Sequence, residues 1–192
     1  MRLYVAAGSD DPDTWGLFPP TRPDGEPFAA ARLIDTADFA DEQLIFPIGR
    51  SGRRTGLTFF YWQAYAATPA GRDAVARAAP AGVWFSPATT SAGDELFVVR
   101  APPLRGAIDP AGSRLDWHPT YPPRHPLVHL SGQIQLAYKL ALRRPVIEGF
   151  DLFYLAEYPV VLVITERLLA TLQGTGVEGV SGAEFPEIVF AP

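Results

Sequence analysis

Residues 147–190 read IEGFDLFYLAEYPVVLVITERLLATLQGTGVEGVSGAEFPEIVF and contain the clearest structural pattern in the chain. The run 160–164, VVLVI, is apolar and β-branched, which is typical of a strand buried on both faces. Residues 150–154 form a short aromatic run before it. Residues 185–190 form a closing strand, which Pro186 places at a sheet edge or delays until after the proline. We therefore expect strands at the beginning, in the middle and at the end of this stretch.

A helix is expected directly after the middle strand. Thr165 can cap its N-terminus, and Glu166 places negative charge in the first turn, where the helix dipole favours it. The apolar stripe of this helix comes from three leucines spaced by three or four: Leu168, Leu169 and Leu172. Gly174 and Gly176 end the helix, because glycine adopts the left-handed cap without steric cost. The order strand, helix, strand contains no catalytic motif.

The composition limits both the fold and the chemistry. The chain has 192 residues, of which 47% are hydrophobic and 19% charged, so it can bury a sizeable core in one domain. No apolar run approaches the ~20 residues that span a bilayer. Residues 1–7 fit a first strand better than a signal peptide, and we expect a cytoplasmic protein. The absence of cysteine excludes disulfides and thiolate chemistry, and the net charge of -5 disfavours a non-specific nucleic-acid binder.

Local patterns upstream of residue 147 predict strands, loops and a further helix. Thr68 caps a helix that begins at Pro69 and runs through Arg77. Residues 83–85 and 96–99 form a hairpin. The other expected elements are a loop over 8–27 pinned to the core by Trp15, Leu17 and Phe18, an aromatic strand segment over 57–65, a loop over 102–126, and a hairpin of 127–130 with 134–140.

These elements predict an α+β fold with mixed or antiparallel sheets and a few short helices. An aromatic run, a threonine-capped helix and a Gly-Val pair occur in the same order at 59–85 and at 150–186. Two interpretations stay open. The chain is either a single domain over 1–192 with a coincidental order of parts, or a duplication with halves of about 1–115 and 116–192.

Charged residues provide two candidate binding surfaces. Asp35, Asp38 and Asp41 are spaced by three, which places them on one face of a short helix, and Glu42 follows. This face is either solvated or an acidic patch that steers a basic partner. The basic turn at 49–54 is likewise either solvated or a site for a phosphate or an acidic partner.

Catalytic and metal-binding groups are few. The histidines are His118, His125 and His129. Pro126 prevents a regular helical pair of the last two, so we expect loop histidines and no metal site. The glycines after Leu172 follow a helix, whereas a phosphate-binding loop precedes one, and we expect no cofactor. One alternative is a small hydrolase that uses Asp109, Asp116 and His118 in the loop over 102–126.

Two sets of motifs resemble a known family. The C-terminal set is Phe150-Asp151-Leu152, the strand 160–164, Thr165-Glu166-Arg167-Leu168, Gly179-Val180 and Glu184-Phe185. The middle set is Gly82-Val83-Trp84-Phe85-Ser86-Pro87, the strand 96–99, and Ala107-Ile108-Asp109 with Ser113. Over about residues 68–190 the chain therefore resembles the immunity-protein family of bacterial polymorphic toxin systems, a myxobacterial-type immunity domain formerly of unknown function.

The resemblance implies a cytoplasmic, non-enzymatic protein that binds a cognate toxin in interbacterial competition and blocks it. Such a protein needs a complementary surface instead of an active site. The expected partner-binding residues are the acidic group Asp35, Asp38, Asp41 and Glu42 with the tryptophan anchors Trp15, Trp62 and Trp117. The alternatives are the hydrolase above and a regulatory module that binds a different protein.

Overall fold

Strands predominate in the computed structural model, which describes residues 2–9, 11–28, 42–60, 64–78 and 80–191. The strands are β1 (Leu3–Ala7), β2 (Gly16–Leu17), β3 (Leu44–Phe46), β4 (Ile48–Arg50), β5 (Leu57–Phe60), β6 (Ala64–Ala67), β7 (Trp84–Thr90), β8 (Glu95–Arg100), β9 (Pro103–Leu104), β10 (Arg114–Trp117), β11 (Ile134–Leu142), β12 (Leu152–Leu155), β13 (Tyr158–Thr165), β14 (Ser181–Ala183) and β15 (Glu187–Phe190). The helices are α1 (Pro69–Ala78), α2 (Arg144–Ile147) and α3 (Glu166–Gly174), with a 3-10 helix at Val128–Leu130.

The strands form three sheets and one short pair. The first sheet has the order β3-β7-β8-β6-β5, the second β14-β1-β13-β12-β9 and the third β10-β11-β15, while β2 pairs with β4. The β3–β7, β12–β9 and β11–β15 pairs are parallel and the others antiparallel. The predicted α+β class with mixed and antiparallel sheets is confirmed.

The first and second sheets are each buried on both faces. In β13, Leu162 and Ile164 enter the cluster between these two sheets, whereas Val161 and Val163 pack towards the third sheet. This alternation follows from the two-residue period of a strand and explains the unbroken VVLVI run. We call the cluster between the first two sheets the central core; it includes Leu57, Tyr65, Phe97, Val99, Leu152, Tyr154, Leu162, Ile164, Leu168 and Leu172.

Both predicted helix caps are present. The Thr165 hydroxyl accepts the Leu168 N–H (3.3 Å) and donates to the Asp151 carboxylate (2.6 Å). The Thr68 hydroxyl accepts the Gly71 N–H (3.3 Å) at the start of α1. Each cap satisfies a backbone donor that the first helical turn leaves unpaired. The two helices pack against each other and close the central core.

Two predicted segments are wrong. Residues 127–130 do not pair with β11; they contain the 3-10 helix, and β11 pairs instead with β10 inside the expected loop over 102–126. The sequence of β10, RLDW, has only two apolar residues, and its pairing partner lies far along the chain, so no local pattern indicates this strand.

Phe18, expected in the core, is 58% exposed, although Trp15 and Leu17 are buried.

The proposed duplication stays a prediction. Hairpin β5–β6 leads into α1 and hairpin β12–β13 leads into α3, and each helix has a threonine cap. Among the residues that the structure describes, no helix combines the length and the hydropathy needed to cross a bilayer.

Replacing Thr165 by alanine should lower the free energy of unfolding by about 1–2 kcal/mol, because the variant loses both the cap and the bond to Asp151. Urea unfolding followed by circular dichroism measures this. The control is Thr171→Ala on the exposed face of the same helix, which we expect to change stability by less than about 0.5 kcal/mol. Equal effects of the two substitutions would contradict the assigned cap.

The stability of the protein should fall as the pH rises above about 10. Burial raises the pKa of the Tyr65 and Tyr154 phenols above their ordinary value, so the folded state keeps protons that the unfolded chain releases near pH 10. We expect Tyr65→Phe to reduce the slope of unfolding free energy against pH by up to about 1.4 kcal/mol per pH unit. Urea unfolding between pH 8 and 11 tests this, and an unchanged slope would refute it.

Candidate partner-binding surface

Most of the expected acidic patch lies outside the described residues. Asp35, Asp38 and Asp41 are not among the described residues, and neither is Trp62, one of the expected tryptophan anchors. Glu42 is described, and its carboxylate accepts a hydrogen bond from the Arg22 Nε at 2.9 Å. This bond raises the pKa of Arg22. Glu42 is therefore engaged in an ion pair within the chain.

The two described tryptophans of the predicted site have opposite environments. Trp15 is 4% exposed and packs with Leu17 and Phe46 on the outer face of the first sheet, so the expectation of a surface anchor is wrong for this residue. The reason is that a loop crossing a sheet must cover its apolar face, and an indole covers a large area. Trp117, at the end of β10, is 48% exposed. Its role as an anchor stays a prediction.

Trp117 belongs to a segment that we call the hairpin tip, residues 116–136, between and including the ends of β10 and β11. The backbone closes this segment: the His118 N–H donates to the Gln133 carbonyl (2.9 Å), and the Tyr121 N–H donates to the Ser131 hydroxyl (2.9 Å). The Tyr121 ring stacks on His125, with centroids 4.5 Å apart and planes at 10°. These contacts hold the tip in a defined conformation.

Apolar side chains are exposed at the hairpin tip. Four of the large hydrophobic residues that are exposed in the described part of the chain lie there: Trp117, Leu127, Val128 and Leu136. The connection carries Val128 in the 3-10 helix, and Leu136 lies opposite Asp116 in the β10–β11 pair. A surface of this kind is typical of a contact site for another molecule.

The outward face of the β10–β11 hairpin adds polar groups beside these apolar ones. The Tyr138 hydroxyl donates to the Asp116 carboxylate at 3.0 Å, and this bond raises the pKa of Tyr138. The Arg114 guanidinium lies over the Tyr138 ring, 4.6 Å from its centroid. Arg114, Asp116 and Tyr138 therefore form one connected group on the face that also presents Leu136.

The residues proposed for a hydrolase do not converge. The Asp109 N–H donates to the carbonyl of Ala141 in β11, whereas Asp116 lies opposite Leu136. Leu136 precedes Ala141 by five residues in the same strand. At about 3.3 Å per residue this separates the two carboxylates' backbones by roughly 16 Å. His118 is further still from Asp109, since it pairs with Gln133.

Asp109 has a structural environment of its own. Its carboxylate accepts the Gly112 N–H (3.1 Å) and lies 3.4 Å from Arg143. The Ser113 hydroxyl donates to the Asp109 carbonyl (2.7 Å) and accepts the Ala141 N–H (2.9 Å). These bonds fix the turn that leads into β10.

The side chains of His118 and His125 are held by neighbouring groups in the tip. The His118 Nδ1 lies 3.4 Å from the Tyr121 hydroxyl, and the His125 Nδ1 accepts the Leu127 N–H at 3.1 Å. Within the described ranges, no cluster of three or more histidine, aspartate or glutamate side chains is placed to hold a metal ion.

Two of the three arginines in the basic turn at 49–54 are neutralised by carboxylates of the chain itself. Arg53 pairs with Asp11 at 3.0 Å and also with Glu178, and Arg54 pairs with Asp94 at 2.7 Å. The Arg50 Nε donates to the Thr14 carbonyl at 2.8 Å. These arginines therefore join the N-terminal loop, the first sheet and the C-terminal segment.

Two of the clefts in the described part of the chain lie beside residues discussed above. One, of about 450 Å³, lies where the N-terminal loop meets β5 and β14, and Arg50 is the charged group among its described lining residues. Its Thr55 and Thr58 hydroxyls bond to each other (3.0 Å). The other, of about 650 Å³, surrounds the Asp109–Arg143 pair. Neither cleft is lined by Asp116 or His118.

Comparison with known proteins assigns no family. No protein-family model matches the chain, and a search of curated proteins finds no match. The resemblance to immunity proteins is therefore carried into the proposal below only by the motifs quoted above.

The sequence prediction missed the tip residues Leu127, Val128 and Leu136. The sequence predicts strands at 127–130 and 134–140, and strand residues next to a predicted turn are expected to alternate between core and solvent. The dense prolines in 119–126 are the signal that could have indicated an ordered loop instead of a hairpin strand.

The two tryptophans should differ sharply in their contribution to stability. We expect Trp15→Ala to lower the free energy of unfolding by about 3–5 kcal/mol, because it empties a large core volume. Trp117→Ala should lower it by less than about 1 kcal/mol, since the ring is half exposed. Urea unfolding of both variants measures this, and similar losses would contradict the burial assigned to either residue.

Proposed function

We propose that this chain is an immunity protein of the cytoplasm that binds a cognate bacterial toxin directly and blocks it without a reaction of its own. The motif resemblance over about 68–190 motivates the proposal. The observation that carries it is the hairpin tip, where Trp117 and Leu136 are exposed on an ordered frame.

The frame makes the tip suitable for tight binding. Association of proteins is opposed by the entropy lost when loops and side chains become ordered. In the hairpin tip the Tyr121–His125 stack and the hydrogen bond from the His118 N–H to the Gln133 carbonyl already impose that order. Trp117 needs only small adjustments to enter a pocket on a partner, and aromatic residues of this kind dominate interface energies.

The alternative functions are less well supported. A hydrolase based on Asp109, Asp116 and His118 would need these groups around one substrate, and the backbone of Asp109 pairs with β11 far from where Asp116 and His118 pair with it and its flanking loop. A regulatory module that binds another protein would use the same exposed tip. Toxicity of the partner is what separates that alternative from the proposed immunity function.

Co-expression in a bacterial host tests the proposal. The product of the adjacent reading frame should arrest growth, and this chain should restore it. Leu136→Asp should abolish the protection, because it puts a charge into the apolar contact and costs about 2–4 kcal/mol of binding.

The matched control is Phe18→Asp, which introduces the same charge at an exposed apolar residue away from the hairpin tip. It should protect like the wild type. A partner that is not toxic, or that stays toxic beside the wild-type chain, would refute the immunity function.

A further inference from the structure

Acidic residues are missing from a long stretch around the hairpin tip. Residues 117–147 contain no aspartate or glutamate, although the whole chain has 21 of them and a formal net charge of -5. The same stretch contains all three histidines and four residues with permanent positive charge: Arg124, Lys139, Arg143 and Arg144. The whole hairpin, residues 114–142, contains the three cations Arg114, Arg124 and Lys139 against the single carboxylate of Asp116, so it has a formal net charge of +2 on an acidic protein.

The cations of the hairpin differ from many other arginines in having no carboxylate partner. Among the residues that the structure describes, seven arginines are neutralised by carboxylates of the chain: Arg2, Arg22, Arg53, Arg54, Arg72, Arg143 and Arg167. Arg114 and Arg124 form no ion pair with any residue in the described ranges, and both are exposed. Their charge is available to carboxylates of another molecule.

The single carboxylate of the hairpin does not reverse this charge. Asp116 accepts the Tyr138 hydroxyl at 3.0 Å, and Arg114 lies over the same tyrosine ring. The nearest acidic residues in sequence are Asp109, which pairs with Arg143, and Glu148. The cations of the hairpin, Arg114, Arg124 and Lys139, outnumber this carboxylate, so the hairpin combines net positive charge with exposed apolar groups.

We propose that the hairpin tip and outward face bind an acidic patch on the partner protein, in which carboxylates surround an apolar recess. The carboxylates would pair with Arg114 and Arg124, and the recess would take Trp117 and Leu136. This assignment rests on the proposed function and specifies the chemistry of the toxin's docking surface.

A protein surface fits these features better than a nucleic acid. A phosphate backbone would satisfy the arginines but would leave Leu127, Val128 and Leu136 in contact with water. A protein interface can bury apolar groups at its centre and place charged groups at its rim, where they mainly accelerate association.

Association kinetics test the proposal, with the purified product of the adjacent reading frame as the probe. For the wild type, the association rate constant should fall at least about tenfold between 50 and 500 mM NaCl. Arg114→Glu combined with Arg124→Glu should lower it at least about tenfold at 50 mM NaCl, and should weaken its dependence on salt. Circular dichroism verifies that the variant is folded.

The matched control is Arg77→Glu combined with Arg105→Glu, which changes the net charge equally at two exposed arginines outside the hairpin. Its association rate should stay within about twofold of the wild-type value. A tip variant that associates like this control overturns the acidic-patch proposal and leaves the immunity function intact.

Two further outcomes would also overturn it. One is a dimer of this chain that sedimentation detects and the tip variant dissolves, because a second copy would then cover the surface. The other is binding of a single-stranded oligonucleotide that the tip variant loses. If the wild type neither binds nor neutralises the probe, the immunity function itself fails, and the assignment of its docking surface fails with it.

Discussion

The central core between the first and second sheets is the constraint on which the rest of the structure depends. The Tyr65 hydroxyl, from the first sheet, donates to the Ala7 carbonyl of the second sheet at 2.6 Å. Tyr154 is fully buried in the same cluster. Burying phenols and apolar groups from both sheets in one cluster makes the two parts of the chain stabilise each other. Helix α1 follows the β5–β6 hairpin, helix α3 follows the β12–β13 hairpin, and both helices close the central core. Neither hairpin with its helix therefore buries its apolar face alone.

Burial on both faces of the second sheet also positions the hairpin. Val161 and Val163 point away from the central core and pack with Leu140 and Leu142 of β11. This packing buries the inner face of the third sheet, and the outward face remains in contact with solvent. Strand β10 lies at the edge of that sheet, so its end and the loop that follows can present Trp117 without disturbing the core.

The charged side chains also differ between the body of the protein and the hairpin. Ion pairs such as Arg53–Asp11 and Arg167–Asp151 tie loops and helix ends to the body of the protein, where they order the chain. In the hairpin, Arg114 and Arg124 form no such pair with any described residue, and both remain exposed. An exposed ion pair contributes little to stability, whereas an exposed cation contributes strongly to the rate at which an acidic partner arrives. The surface groups of the hairpin are therefore better suited to recognition than to stabilisation.

Local sequence determined helices α1 and α3, their caps and most strands. Thr165 with Glu166, Thr68 with Pro69, and the VVLVI run act within a few residues, and the structure places them as predicted. Tertiary structure alone decided that Arg114–Trp117 pairs with β11, that Phe18 is exposed, and that Trp15 belongs to the core and not to the surface anchors. Strand pairing and burial depend on what lies opposite in space, and two tryptophans have the same local preference whichever surface they meet. The hydrophobic periodicity of a segment indicates whether it forms a strand or a helix. Which face of that element remains in contact with water depends on how the sheets pack.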